Sequence, residues 1–246
     1  MKAQNTLKER FFHKTLIIDI ETVPEKKGWQ ELPEPLQQHW LHKASYLNLS
    51  EEAAVDAAIS YAQRAGIFAE FGKIVCIGLG IVTIKDGEPV LRLKALKHDD
   101  EKALLQEFSD MIGTMEQQRK GIIFCGHNIK EFDLPYICRR LLIHGMPLPG
   151  CLKLSGKKPW EIPHEDTLEL WRFGDYKHYT SLDLLANCLG VPSSKTDMDG
   201  SMVADAYWKE NRLEDIARYC LQDIYTTTRV YLKLKEMDLS LNCVYA

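Results

Sequence analysis

Two acidic side chains near the start of the chain stand at a spacing suited to chemistry. Asp19 and Glu21 come at the end of an apolar run, and the β-branched residues within 15–20 predict a buried strand there. Because side chains alternate across a strand, residues two positions apart point to the same face. Neighbouring carboxylates repel each other and resist burial. So unfavourable a pair indicates a functional site, although a polar strand end is the more frequent explanation of such a pair alone.

Three further polar residues fall where they can join the first pair. Asp133 follows the fourth predicted strand, at the start of a helix, in the segment HNIKEFDLP. Tyr219 and Asp223 lie four residues apart in the last predicted helix and therefore share one helix face. Asp133 and Asp223 each have apolar neighbours, which predicts that they face the interior. Helical spacing of this kind is usually structural when it occurs alone, but all five residues in this order indicate one site.

Four carboxylates at one point require cations to offset their mutual repulsion. Mg²⁺ and Mn²⁺ prefer carboxylate oxygen and keep positions open for water and phosphate. Two such ions roughly 3.5–4 Å apart stabilise both the attacking and the leaving oxygen of an in-line displacement at phosphorus. We therefore expect two divalent cations, Mg²⁺ or Mn²⁺, as cofactors.

The elements that must position these residues include both strands and helices. Predicted strands cover residues 15–20, 73–84, 89–96 and 121–128, with a hairpin turn at Asp86 and Gly87. Predicted helices cover residues 50–66, with Ser50 as N-cap and Gly66 as stop, then 98–118, 132–144, 181–189, 201–210 and 213–235. This order predicts an α/β fold with a mixed central sheet flanked by helices. We expect a single domain over residues 1–246, with its core at about 15–234 and a polar, proline-bearing insertion at about 24–70.

Composition indicates a globular protein, but it does not decide whether the protein binds nucleic acid. The 246 residues are 45% hydrophobic and 27% charged, as in an ordinary soluble globular protein. The net charge of −4 argues only weakly against a nucleic-acid binder. If four of the 35 acidic residues bind metal, the remaining 31 balance the 31 basic residues.

Cysteine usage and hydropathy indicate the compartment. Seven cysteines occur without a C-x-x-C pair, which fits reduced thiols better than disulfides or a zinc site. The longest apolar stretch, residues 74–84, is too short to cross a bilayer, and residues 1–14 lack the apolar region of a signal peptide. We expect a cytoplasmic protein without a membrane partner.

The acid-bearing motifs also carry a family resemblance. D-x-E after a strand, N-x-x-x-F-D in the middle and Y-x-x-x-D near the end resemble the three exonuclease motifs of the DEDD superfamily. The third motif resembles the tyrosine form (DEDDy), since Arg218 occupies the place where the histidine form has His. The closer resemblance, over about residues 15–234 and including FGKIVCIGLG, is to the 3'–5' exonuclease domain of family B DNA polymerases and to predicted stand-alone bacterial proteins related to it. It implies a ribonuclease H-like exonuclease fold.

The resemblance implies a role for each matching residue. The metal ligands would be Asp19, Glu21, Asp133 and Asp223, and Tyr219 would be a further catalytic residue that orients the attacking water. Six residues are implied to contact the substrate: Thr22 and Asn128 at the 3'-terminal nucleotide, Phe132 by packing the site, Ser181 and Leu182 in a single-strand motif, and Lys195 at the scissile phosphate.

The implied activity is a two-metal-ion 3'–5' exonuclease that releases nucleoside 5'-monophosphates from single-stranded DNA 3' ends. The implied setting is DNA repair, or proofreading in trans with a polymerase or repair partner. An exoribonuclease on the same scaffold and a non-catalytic nucleic-acid-binding module are the alternatives.

Basic and aromatic residues in segments 153–160 and 175–181 are suited to guiding a strand, or they are simply solvated loops. Asp166 is either a second acid behind the site or, as we expect, a strand-end or capping residue.

Overall fold

Six strands form one mixed sheet at the centre of the protein. The structure is a computed structural model that describes residue 11 and residues 13–47, 56–192 and 198–245. The strands are β1 (Thr15–Pro24), β2 (Gly72–Lys85), β3 (Glu88–Lys97), β4 (Ile123–Gly126), β5 (Glu165–Asp166) and β6 (Asn242–Tyr245). Their order across the sheet is β5-β4-β1-β2-β3-β6. The pairs β1–β2 and β2–β3 are antiparallel, and the other three pairs are parallel.

Helices cover both faces of this sheet. Those with described bounds are α1 (Glu34–Ala44), α2 (Ala57–Arg64), α3 (Glu101–Arg119), α4 (Asp133–Ile143), α5 (Thr167–Arg172), α6 (Leu182–Cys188), α7 (Val203–Trp208) and α8 (Leu213–Leu234). Alternate residues of β1 face opposite layers: Ile18 packs with α3 and α4, whereas Ile17 packs with α8. The predicted α/β architecture, a mixed sheet flanked by helices, is confirmed. Among the described residues, no helix is both long and apolar enough to span a membrane.

Local signals placed most elements correctly. Asp86 and Gly87 both have positive φ, 53° and 84°, as a two-residue hairpin turn of this kind requires. Asp100 caps α3 by accepting hydrogen bonds from the backbone of its first turn. The helix predicted over residues 50–66 is described only as α2, with Asp56 as its N-cap, and Ser50 lies outside the described residues.

Four of these elements were missed: α1, in the stretch predicted to be a polar insertion, and three short elements that depend on tertiary context. The two-residue β5 and the short α5 that follows it fall in a stretch that we assigned no element. The terminal β6 is mostly exposed and exists because it pairs in parallel with β3. Strands this short carry too few residues for a period-2 pattern to be recognised.

The segment predicted to be an insertion has a small apolar cluster of its own. Trp40 of α1 and Tyr61 of α2 are fully buried in it, together with Leu32, Ala65 and Phe71. Tyr136 of α4 donates a 2.8 Å hydrogen bond to the Gly66 carbonyl, which attaches the segment to the layer beside the sheet. The boundaries at 24 and 70, and the assignment of the chain to one domain, stay predictions.

A buried histidine makes folding stability sensitive to mild acid. His164 Nδ1 accepts a 3.1 Å hydrogen bond from the Phe124 N–H, and its Nε2 donates to the Cys151 carbonyl at 3.0 Å. Burial is the main cause that lowers the pKa of His164 to about 4, from an ordinary value of 6.5. Between these values the unfolded chain binds more protons than the native protein, so acid favours unfolding.

We expect His164 to make the free energy of unfolding fall by about 3 kcal/mol as the pH drops from 6.5 to 4. The contribution fades as the pH rises above 6.5, because the histidine then becomes neutral in the unfolded chain as well. Urea unfolding at several pH values should therefore show a steeper acid loss for the wild type than for His164→Gln, which cannot titrate. Equal pH dependence in the two proteins would contradict the prediction.

Candidate active site

The edge of β1 is open where the acidic residues lie. β4 pairs with β1 only at residues 15–17, so the rest of β1 lacks a strand neighbour on that side. There the backbone N–H of Ile20 donates a 3.0 Å hydrogen bond to Oδ1 of Asp133. Asp133 is the first residue of α4, which begins shortly after β4 ends. Its carboxylate is thus fixed against the backbone between Asp19 and Glu21.

Close packing of α8 on β2 brings the last two predicted residues to the same place. A Cβ added to Gly78 would lie 2.6 Å from Sγ of Cys220, and one added to Gly80 would lie 2.5 Å from Cγ2 of Ile224. Glycine is therefore required at both positions for the helix to approach this closely. The Cys220 thiol lies 3.4 Å from Oδ2 of Asp19 and can donate a hydrogen bond to it.

The acids interact strongly with one another. Burial, followed by the charges of Asp223 and Asp133, raises the pKa of Asp19 well above its ordinary value. Burial, followed by the charge of Asp19, does the same to the pKa of Glu21. Burial also raises the pKa of Asp133 to about 7, against the opposing effect of hydrogen bonds such as that from Ile20. The four carboxylates therefore form one electrostatic cluster.

The Tyr219 hydroxyl belongs to this cluster. Burial raises the pKa of Tyr219, and the charges of Asp223, Glu21 and Asp19 raise it further. Its side chain is also hydrogen-bonded to that of Asp223. All five residues that the sequence singled out as catalytic are accordingly brought together.

The donor set fits hard divalent cations. Ligand atoms of Asp19, Glu21 and Cys220 lie within 4.8 Å of one another. Burial raises the pKa of the Cys220 thiol well above its ordinary value, so its sulfur stays protonated and is a poor ligand. Carboxylate oxygens remain, and these are the ligands that Mg²⁺ and Mn²⁺ prefer. Cations at this position would also offset the repulsion between the carboxylates and the free-energy cost of burying their charges.

A groove of about 630 Å³ opens at the acid cluster. Glu21, Thr22 and Phe132 line it, together with residues 62–64, 66–67, 200–201 and 204. Thr22 is hydrogen-bonded to the hydroxyl of Tyr136. Phe132 packs on the Tyr136 ring with centroids 5.4 Å apart. The groove is large enough to accept part of a nucleotide chain.

Asp166 organises the loop that leads to Asp133. Its side chain accepts backbone hydrogen bonds from Asn128 at 2.8 Å and Lys130 at 3.0 Å, and it caps α5 through Leu168 at 2.9 Å. The expected strand-end and capping role is confirmed. Asn128 holds a left-handed conformation with φ of 62°, and its buried Oδ1 has no hydrogen-bond partner among the described residues. The sequence analysis predicted the capping role of Asp166, but it did not predict the hydrogen bonds that Asp166 accepts from the loop backbone.

The remaining predicted substrate residues have visible structural roles or cannot be described. The Ser181 hydroxyl caps α6 by accepting from the Leu184 N–H at 3.3 Å. Leu182 is partly buried against a small cluster that includes Leu185 and Val230. Lys195 lies outside the described residues. A contact of any of these three with substrate stays a prediction.

Comparisons with known proteins identify a family that matches most of the chain. Residues 68–244 match the family model described as "Predicted 3'-5' exonuclease related to the exonuclease domain of PolB". The match includes Asp133, Tyr219 and Asp223, whereas Asp19 and Glu21 precede it.

Two polymerases are similar to parts of the chain. The DNA polymerase delta catalytic subunit of Bos taurus is 25% identical over 178 residues, which cover 62% of this chain and 16% of that protein. The family B DNA polymerase of the archaeon Pyrobaculum calidifontis superimposes with a TM-score of 0.53 at 16% identity, over 90% of this chain and 24% of the polymerase. The chain thus spans under a quarter of either polymerase. The structural likeness confirms the ribonuclease H-like exonuclease fold.

Proposed function

The chain belongs to the family of predicted 3'–5' exonucleases related to the exonuclease domain of PolB, and we propose that it is a two-metal-ion exonuclease of the DEDDy type. Its substrate is the 3' end of single-stranded DNA, and its products are nucleoside 5'-monophosphates. The observation that carries this proposal is the convergence of four acids and the Tyr219 hydroxyl in one cluster, in which Glu21, Asp133 and Asp223 are buried. Such a cluster opposes folding, and phosphodiester hydrolysis gives a reason for its presence.

The proposed mechanism assigns each side chain a task. Asp19, Glu21, Asp133 and Asp223 would hold two divalent cations. These cations would lower the pKa of the attacking water and stabilise the departing 3' oxygen. Tyr219, already hydrogen-bonded to Asp223, orients that water through its hydroxyl. The hydrogen bond from the Ile20 N–H to Asp133 keeps one carboxylate in a fixed position before substrate binds.

The groove supports the proposed position of the terminal nucleotide. Thr22 and Phe132 line it together with Glu21, and we assign the 3'-terminal sugar and base to this part of the groove. The unpartnered Oδ1 of Asn128 is the natural acceptor for a substrate donor. Arg64, which also lines the groove, has a buried Nε without a hydrogen-bond partner among the described residues and is suited to a backbone phosphate.

The proposed setting is DNA repair, or proofreading in trans for a separate polymerase. Its support is the likeness of the chain to parts of two DNA polymerases. A cytoplasmic location is supported by the seven cysteines, all of which are free thiols.

A nuclease assay on 5'-labelled oligonucleotides tests the proposal. Matched DNA and RNA strands, single-stranded, duplex and mismatched, are incubated with Mg²⁺, with Mn²⁺ and with EDTA. We expect a ladder that shortens from the 3' side of single-stranded DNA and disappears in EDTA. Equal or faster degradation of RNA would identify an exoribonuclease. Strand binding without degradation under any condition would identify a non-catalytic binding module.

Replacing Tyr219 by phenylalanine tests the orienting hydroxyl. We expect Tyr219→Phe to lower kcat by about 10²-fold, the low end of the range for a positioned proton-transfer group, because the acids remain. Stabilisation by Mn²⁺ in thermal unfolding should persist in this variant. Tyr225→Phe, on the same helix with its hydroxyl near Arg229, is the matched control and should retain wild-type turnover. An unchanged rate in Tyr219→Phe would remove this residue from the mechanism.

A further inference from the structure

The loop between α5 and α6 exposes an unusual set of aromatic side chains. Within residues 173–180, here called the aromatic loop, Phe173, Tyr176 and Tyr179 are 86%, 75% and 63% exposed. Phe173 also holds φ at 45°, a left-handed conformation that is unfavourable for a bulky residue. Exposed rings on a strained backbone contribute little to folding and therefore indicate a binding surface.

This loop is attached to the segment that carries Asp133. His127, in that segment, forms a 2.9 Å hydrogen bond through Nε2 to the Thr180 carbonyl. The rings of His127 and Tyr179 meet edge-on with centroids 6.2 Å apart. Anything bound on the aromatic loop therefore lies beside the segment that leads to Asp133.

Basic groups accompany the rings. The Arg172 guanidinium lies 5.7 Å from the centroid of the Tyr176 ring, and its Nη1 donates to Glu131 at 3.4 Å. Lys177 and His178 are exposed beside it. Aromatic faces interleaved with cations bind single-stranded nucleic acid, because bases stack on the rings while the cations contact phosphates.

We propose that the aromatic loop is a stacking platform for bases of the single strand on the 5' side of the scissile bond. This inference rests on the proposed exonuclease function and extends it. The acid cluster repels the phosphates of an approaching strand, so an attractive surface next to it is needed to hold the strand. The consequence is a preference for strands long enough to reach the platform.

Removing two rings tests the platform. Each base stacked on an aromatic side chain contributes about tenfold or more to affinity, so Phe173→Ala combined with Tyr176→Ala should raise Kd for long oligothymidylate about 100-fold. Binding is measured by fluorescence anisotropy in EDTA, where no turnover occurs. The double variant should also lower the ratio of kcat/KM for the long strand to kcat/KM for a dinucleotide by a similar factor. Phe173→Tyr combined with Tyr176→Phe, which keeps both rings, should restore binding.

Controls make the outcomes distinct. Tyr245→Ala removes another exposed tyrosine, 71% exposed on β6, and should leave Kd unchanged. Unchanged Kd in the double alanine variant, or equal losses of kcat/KM on the dinucleotide and the long strand, would overturn the platform. A wild type that binds the strand through these rings but degrades nothing would instead overturn the exonuclease proposal and leave the platform standing. A wild type that binds no strand would overturn both.

Discussion

Asp19→Asn and Asp223→Asn are each expected to lower kcat for degradation of single-stranded DNA by about 10³-fold or more. Divalent cations stabilise the developing charge in phosphoryl transfer by several kcal/mol, and each 1.4 kcal/mol corresponds to a tenfold change in rate. An amide at either position removes one of the negative charges on which cation binding depends. The rate is measured on a 5'-labelled strand at saturating Mg²⁺ or Mn²⁺.

A matched variant separates this effect from a general loss of negative charge. Asp110→Asn, at an exposed position on α3, changes the net charge by the same amount and should degrade the strand at the wild-type rate. Wild-type turnover in Asp19→Asn or Asp223→Asn would show that the clustered acids are not the catalytic site.

Thermal unfolding distinguishes a lost site from a damaged fold. In EDTA the four carboxylates oppose their own burial, so removing one should leave Tm equal to that of the wild type or raise it. Mn²⁺ should raise the Tm of the wild type and raise that of Asp223→Asn less, because a ligand that binds the native state more weakly stabilises it less. If the variant has a lower Tm than the wild type in EDTA, the lost activity is explained by unfolding.

The position of the five catalytic candidates followed from local periodicity. Asp19 and Glu21 share a strand face because strand side chains alternate, and Tyr219 and Asp223 share a helix face because they are four residues apart. The start of α4 at Asp133 was predicted within one residue. These elements are long or strongly bounded, so their local sequence was sufficient.

The details that complete the site depend on contacts distant in sequence. Asp166 holds the backbone of Asn128 and Lys130 from a two-residue strand that has no pattern of its own. Gly78 and Gly80 looked like ordinary strand residues, although their lack of a side chain is what lets α8 approach. Ser181 matched a substrate motif, yet its hydroxyl caps a helix. Sequence alone cannot distinguish these uses, because the same residue type serves both.

A buried ion network that no local pattern indicated joins four parts of the fold. Arg140 of α4, 2% exposed, donates from Nε to both carboxylate oxygens of Glu101 at 2.9 Å. Glu101 Oε1 also accepts a 2.7 Å hydrogen bond from the Ile74 N–H on β2. The Nη1 of Arg140 donates to the Ala69 carbonyl at 2.9 Å and to Glu25 at 3.3 Å. The network therefore links α3, α4, the sheet and the ends of the 24–70 segment.

We expect Arg140→Met to lower the free energy of unfolding by about 3–5 kcal/mol. Methionine fills much of the space, but it leaves the buried Glu101 carboxylate without its guanidinium partner, with the His144 imidazole 2.7 Å from Oε2. Urea unfolding at neutral pH measures the change, and Arg139→Met, at the exposed neighbouring position, should be close to neutral.

The double variant Arg140→Met/Glu101→Gln decides whether the cause is the buried Glu101 charge that has lost its guanidinium. A neutral amide at position 101 can still accept from the Ile74 N–H, and it requires no counter-ion. If the charge is the cause, the double variant is more stable than Arg140→Met alone, and the two substitutions are strongly coupled. If the two substitutions instead lower the free energy of unfolding additively, the effect comes from lost packing and from the lost hydrogen bond to the Ala69 carbonyl. Neither of these depends on whether Glu101 is charged.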